Sequence, residues 1–353
     1  MREPDMQKLD TLVSRLVGDV GAAVTGALVV LGDHVGIFRA MADGKPVQVA
    51  ELAARTGVKE RYLREWLSAQ AAADYICYDE RTERFSLSPE QAMVFAEENS
   101  PAFFVGAFEV VQSMWMDEPK IADAFRTGKG VGWHEHSNCL FRWTERFFRP
   151  GYNSYLVADW IPALDGVETK LKAGASVADI GCGHGASTIL MANAYPASRF
   201  IGFDYHGPSI ERARATAESA GVADRVTFEQ SSAAAFPGRD YDLIAMFDCL
   251  HDMGDPVGAG RHVRETLAPG GTWMIVEPFA HDHLKDNLNP VGRVYYGAST
   301  MICTPASLAQ EVGLGLGAQA GEVRLRRVVL DAGFTHFHRA TETPFNMVFE
   351  VRA

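Results

Sequence analysis

Val177-Ala178-Asp179-Ile180-Gly181-Cys182-Gly183-His184-Gly185 is the stretch that decides the fold of this chain. Ser176 to Ile180 is short and mostly apolar, the length of a buried strand rather than of a helix. Three glycines at alternate positions end it, and Ala186 to Tyr195 then reads as a helix stopped by Pro196. Glycine is required where the backbone turns sharply or must lie bare against a ligand. A second apolar strand, Arg199-Phe200-Ile201-Gly202-Phe203, follows and ends on Asp204. Strand, glycine turn, helix, strand and acid, in that order, form a unit that holds a ribose. The carboxylate accepts hydrogen bonds from both sugar hydroxyls.

Dinucleotide folds favour G-x-G-x-x-G, whereas here the glycines run G-x-G-x-G with an aspartate two residues ahead of the first. This turn, with Asp204 downstream, resembles motifs I and II of the class I S-adenosylmethionine (SAM) methyltransferases. The resemblance implies that Asp179, Gly181, Gly183 and Gly185 face the methionine end of SAM and that Asp204 holds its ribose. Tyr205, directly after that acid, is positioned to lie against an adenine face.

Outward from this unit, 353 residues are too many for one ordinary core and suit two domains. With 47% hydrophobic and 22% charged residues the composition is that of a soluble globular protein. A net charge of −12 gives no global pull toward nucleic acid or an anionic membrane. The longest apolar stretch, Val20 to Gly32, is too short to span a bilayer, and the acidic start Met1-Arg2-Glu3-Pro4-Asp5 lacks a signal-peptide core. Cys77, Cys139, Cys182, Cys249 and Cys303 are scattered without metal spacing, which points to a reducing, cytoplasmic setting and no bound metal.

Residues 8–42 carry apolar positions at helical spacing, including the nearly all-apolar Ala27-Leu28-Val29-Val30-Leu31, whose expected cover is a partner subunit. Val49 to Ala54 and Lys59 to Ala72 read as two helices, the second with Tyr62, Leu63, Trp66 and Leu67 on one face. A hairpin about the polar turn Asp79 to Glu83 follows, then the capping box Ser88-Pro89-Glu90-Gln91. Helix–turn–helix and hairpin make a winged helix, here residues 1–96. The second helix, in the place of a recognition helix, carries Lys59, Arg61 and Arg64 but also Glu60 and Glu65, a poor surface for phosphates. The stretch resembles the dimerisation domain of plant-type small-molecule O-methyltransferases, which implies a homodimer and no nucleic-acid partner. Residues 97–165 form an aromatic-rich helical connector that walls a pocket for a flat, partly apolar acceptor. By the same resemblance Phe148 and Tyr152 touch SAM.

After Asp204, strands and helices alternate through residues 166–353, with the strand ends on one edge of a parallel sheet. Ser231, Ser232 and Ala233 follow one strand. Many methyltransferases place an acid at the position of Ser232 for the adenine amino group, and this chain departs from them. Phe247 and Asp248 end the next strand, and Leu250-His251-Asp252-Met253 is similar to the Leu-His-Asp-Trp stretch of the plant-type enzymes, which implies His251 as general base. Residues 279–318 read as a lid-like insertion, with histidines that lack tight ligand spacing. The strands His336 to Thr341 and Met347 to Val351 close the sheet as an antiparallel hairpin. The expected fold is α/β: a Rossmann-like seven-stranded methyltransferase sheet behind an N-terminal winged helix and helical connector. The expected function is SAM-dependent methyl transfer to a small acceptor, with S-adenosylhomocysteine as product. A winged-helix regulator sensing a SAM-type ligand is the alternative, and the glycine spacing and closing hairpin disfavour an NAD(P) oxidoreductase.

Overall fold

A computed structural model describes residues 3–353; Met1 and Arg2, which open the acidic N-terminal stretch, lie outside the described residues. The chain divides into two compact units on either side of Gln112 and Ser113. That division falls inside one helix, Val105–Thr127.

In the first unit Asp5 caps a 29-residue helix, Met6–His34, by accepting from the Gln7 and Lys8 amides. Sequence pattern confined the long apolar run to Val20–Gly32. The helix is longer because Arg15 and Asp19 pair one turn apart, at 4.0 Å, instead of interrupting it. By length and composition it is long and apolar enough to cross a membrane, and 28% of its most apolar part is buried. Val29 and Val30 are buried, whereas Leu12, Val13, Leu16, Val17 and Val20 are exposed.

Helices Val49–Thr56 and Glu60–Ala72 follow, then the antiparallel strands β1 (Cys77–Asp79) and β2 (Arg84–Ser86). Leu63, Trp66 and Leu67 face the core as expected, but Tyr62 is 76% exposed, since it lies beyond the apolar stripe. Trp66 donates from its indole N–H to the Leu28 carbonyl at 2.7 Å, and Phe38 packs on both Trp66 and Phe95. The capping box at Ser88 and Gln91 forms as read.

The second unit is built on β3 (Ser176–Ile180), β4 (Arg199–Asp204), β5 (Val226–Gln230), β6 (Tyr241–Phe247), β7 (Leu267–Pro278), β8 (His336–Glu342) and β9 (Asn346–Arg352). They form one sheet in the order β5-β4-β3-β6-β7-β9-β8. The first five pair in parallel, and β9 enters antiparallel between β7 and β8. The central strands are apolar on both faces because helices cover both. Leu171, Met191 and Phe200 pack on one side, Phe203, Trp273 and Phe349 on the other. Pro269-Gly270-Gly271 lies within β7, just after helix Pro256–Thr266 has ended.

Gly202, in the middle of β4, has no room for a side chain. A Cβ there would lie 2.5 Å from the Phe228 ring and 2.8 Å from the Cys182 sulfur. Gly202→Ala is therefore expected to lose roughly 1–3 kcal/mol in urea unfolding with an unchanged slope. Phe228→Leu in the same chain should recover part of that loss.

Candidate active site

The glycine turn after β3 is shaped by its backbone. Gly181, Gly183 and Gly185 have φ of +74°, +52° and +80°, a region that side chains other than glycine rarely adopt. Gly181 and Cys182 donate their amides to the Phe203 carbonyl, and Gly183 donates to Asp204 Oδ2 at 3.0 Å. The turn is thereby tied to the end of β4. A Cβ on Gly183 would project into open space, so bare backbone faces the cavity there.

The cavity, about 480 Å³, lies at the carboxyl ends of the parallel strands. Of the residues singled out from sequence, its wall includes Gly181, Gly183, Asp204, Tyr205, Ser231, Ser232, Ala233, Phe247, Asp248, Phe148 and Tyr152. Gly185 lies outside that wall and packs against Phe228. Asp179, also outside it, is fully buried and accepts from the Ser187 and Thr188 hydroxyls at 2.6 Å each. It anchors helix Ala186–Ala194. Burial pushes the Asp179 carboxyl up to about 6, against those two hydrogen bonds.

Asp204 accepts from Gly183 through one oxygen and from the His206 amide, at 2.8 Å, through the other. Burial raises its carboxyl above the ordinary range despite these bonds. Phe148, Tyr152 and Phe247 form an aromatic flank, with Phe148 and Tyr152 stacked. The Tyr152 hydroxyl donates to Asp248 Oδ2 at 3.1 Å, and Asn346 of β9 donates to Asp248 Oδ1 at 2.9 Å. Burial, then the nearby Glu277 charge, pushes the Asp248 carboxyl up to about 8.

His251 was expected to face the acceptor. It is buried behind Asp252 instead and does not line the cavity. Glu277 contacts its Nδ1 and accepts the Leu250 and His251 amides, while Asp252 Oδ1 sits 3.1 Å from Nε2. Burial lowers this imidazole, but the charges of Asp252 and Glu277 outweigh it and hold the ring well above its ordinary value. The imidazolium thus has a carboxylate at each nitrogen and no free lone pair for a substrate proton. Donor atoms of His251, Asp252 and Cys303 gather within 4.8 Å of one another, a tertiary grouping that sequence spacing does not reveal. The His251–Asp252 ion pair accounts for two of its three members.

Sequence reasoning gave residues 97–165 as a pocket wall but did not single out Gly132, His134, Glu135 and Glu145, nor His184, Asp252 and Gln310, all of which line the cavity beside Trp133. One signal was present. Gly128, Gly130 and Gly132 alternate, and a Cβ on Gly130 would meet the Ala309 amide nitrogen at 2.1 Å. That close approach seats the segment against helix Thr304–Leu308, with Val131 donating to the Pro305 carbonyl.

Residues 171–315 match the model of a methyltransferase domain. With the sheet order and the glycine turn, this part of the chain has the fold of the class I SAM-dependent methyltransferases. Residues 23–97 match an Rv2258c-like winged HTH domain. Over 103 residues the chain is 37% identical to 27-O-demethylrifamycin SV methyltransferase of Amycolatopsis mediterranei, a match covering 29% of this chain and 38% of that protein. The chain therefore spans about two fifths of that relative's length. Human N-acetylserotonin methyltransferase, solved in complex with SAM, shares 16% identity at a TM-score of 0.71, covering 96% of this chain and 97% of that one. An O-methyltransferase family protein from Burkholderia thailandensis shares 17% identity at a TM-score of 0.69, covering 100% and 99%. At these identities the likeness to solved structures establishes the fold.

The Asp248 carboxyl yields a pH-dependent outcome. Its pKa is higher in the fold, about 8, than the ordinary 3.8, so the fold favours the protonated acid. That stabilisation is complete below pH 3.8, declines as pH rises, and is gone above about 8. Asp248→Asn keeps an acceptor for Asn346 and cannot ionise. Thermal unfolding between pH 4 and 9 should show the mutant gaining on the natural protein as pH rises, by at least about 1 kcal/mol near pH 8.

Proposed function

We propose that this protein transfers a methyl group from SAM to the hydroxyl of a small, partly aromatic acceptor. The observation that carries this reading is the single cavity that joins the bare glycine turn and Asp204 to the aromatic flank of Phe148, Tyr152 and Phe247. Gly181, Gly183, Asp204, Tyr205 and Ser231 to Ala233 would hold the cofactor, whose sulfonium supplies an electrophilic methyl group. The protein's share is to align the acceptor, exclude water and handle one proton. The names of the rifamycin and N-acetylserotonin enzymes support a small-molecule acceptor. In this reading His251 belongs to the catalytic machinery as a positioning residue, an imidazolium that fixes the Asp252 carboxylate at the cavity wall. Asp204→Ala removes the acceptor for two ribose hydroxyls and frees the Gly183 amide. SAM affinity measured by calorimetry should fall by about 2–4 kcal/mol. Tight NAD binding without SAM binding would overturn the reading.

A homodimer is part of the same proposal. The exposed stripe Leu9, Leu12, Val13, Leu16, Val17 and Val20 is longer than isolated surface apolar residues normally form. A second copy of the helix can cover it. DNA is a poorer partner, because Arg61 pairs with Glu65 and Arg84 with Glu51, so these cations already have carboxylates. The unpaired cysteines are consistent with a reducing, cytoplasmic setting. Light scattering should show a dimer that becomes a monomer when Leu12 and Leu16 are both replaced by Glu. A monomer that floats with lipid vesicles until those residues are changed would assign the stripe to a membrane instead.

A further inference from the structure

Resting on the methyl-transfer reading, we propose that the Asp248 carboxylate receives the α-ammonium group at the cofactor's amino-acid end and loses its own proton to solvent in doing so.

The sheet order locates that end. Asp204 closes β4, and Ser231 to Ala233 follow β5 on one side of it. A nucleoside with its ribose on Asp204 and its base beside Tyr205 and Ser231 extends in the other direction. Its chain runs over the glycine turn of β3 toward the end of β6, two strand spacings or about 10 Å from Asp204. Asp248 directly follows β6. Its neighbour Cys249 sits against the turn, donating from Sγ to the Ile180 carbonyl at 3.2 Å, and a Cβ on Gly181 would lie 2.8 Å from that sulfur. Asp248 lines the cavity and is half-buried, so a ligand there can touch it.

The partners of the wall's acids set Asp248 apart. Glu145 has Arg149 at 3.4 Å and His184 at 3.7 Å, and Asp252 has the His251 imidazolium. Asp204 and Glu135 accept backbone amides. Asp248 has only two neutral side chains, the Tyr152 hydroxyl on Oδ2 and the Asn346 amide on Oδ1, and each oxygen can accept once more. Among the described residues no lysine or arginine lines the cavity. A buried carboxylate without a positive partner is costly, and here a ligand is the source of one. The backbone of Asp248 is strained as well, at φ +51°, a cost characteristic of ligand sites.

The titratable groups around Asp248 are Glu277 of β7, His251 and Asp252 of the loop after β6, Tyr152 of segment Tyr152–Trp160 and Tyr295 of helix Pro290–Ala298. Burial, Glu277 and Asp252 raise the carboxyl, His251 and the Tyr152 hydrogen bond lower it, and the balance is about 8. At neutral pH the free protein therefore holds Asp248 protonated. An ammonium favours the ionised form, so its arrival expels the proton. The stability gain expected of Asp248→Asn is the counterpart: an acid that costs the free protein stability is retained for what it binds.

The test is calorimetry of the full chain with two ligands. S-adenosylhomocysteine has the ammonium and no sulfonium, and 5′-methylthioadenosine has the nucleoside and no amino-acid end. At pH 7, in buffers of different ionisation enthalpy, the natural protein should release roughly 0.5–1 proton per S-adenosylhomocysteine and none with 5′-methylthioadenosine. Affinity for S-adenosylhomocysteine should rise several-fold between about pH 6 and 7.5, where the free acid is still protonated. Asp248→Asn should abolish both the release and the rise. It should weaken S-adenosylhomocysteine roughly 10–100-fold and leave 5′-methylthioadenosine within about threefold. Equal losses for the two ligands overturn the proposal, as does a loss confined to SAM, which would assign the acid to the sulfonium. Binding of S-adenosylhomocysteine by the natural protein without proton release overturns it too, whether or not the variant folds. Failure of the natural protein to bind SAM and both of these ligands would count instead against the methyl-transfer reading.

Discussion

The hydrogen bond from the Gly183 amide to the Asp204 carboxylate ties together the two elements on which the site depends. One end belongs to the turn after β3, the other to the last residue of β4. The turn can approach so closely because its glycines occupy left-handed backbone conformations and carry no side chains, with the Cys249 sulfur filling the space beside Gly181. A carboxylate serving two backbone amides is already oriented before any ligand arrives. The parallel pairing of β3 with β4 and β6 then fixes where every other loop of the cavity begins.

Much of this was legible in the sequence, for a physical reason. Strand, turn, helix and acid are neighbours in the chain, so their geometry follows from local backbone preferences. The closing hairpin was legible too, because two short alternating runs about Glu342-Thr343-Pro344 allow little else. What local pattern could not supply was the partner of each side chain across the fold. Asp179 precedes the glycines by two residues and was read as facing the ligand. The hydroxyls of Ser187 and Thr188, one helical turn further on, draw its carboxylate inward.

His251 shows the same limit more sharply. It follows β6 at the ligand edge of the sheet, with Glu277 from the end of β7 against its Nδ1. Whether a histidine offers a lone pair depends on what stands at its second nitrogen. That is a property of the packed structure and not of the motif. The segment Gly132 to Glu135 was not singled out because it has no periodicity, and the alternate glycines leading into it mark a close approach to a helix more than 160 residues away in the chain.

The position of β9 has a consequence for how the molecule is made. This last strand pairs β7 with β8 and brings Asn346 to the Asp248 carboxyl. During synthesis the five parallel strands emerge first, and β7 waits with an open hydrogen-bonding edge until the lid region and β8 have been translated. An open edge is a template for pairing with another chain. The nascent protein therefore has a window of vulnerability to aggregation that closes only when β9 inserts. The same insertion completes the polar contacts of Asp248, so the ligand site and the protected sheet edge mature in one event.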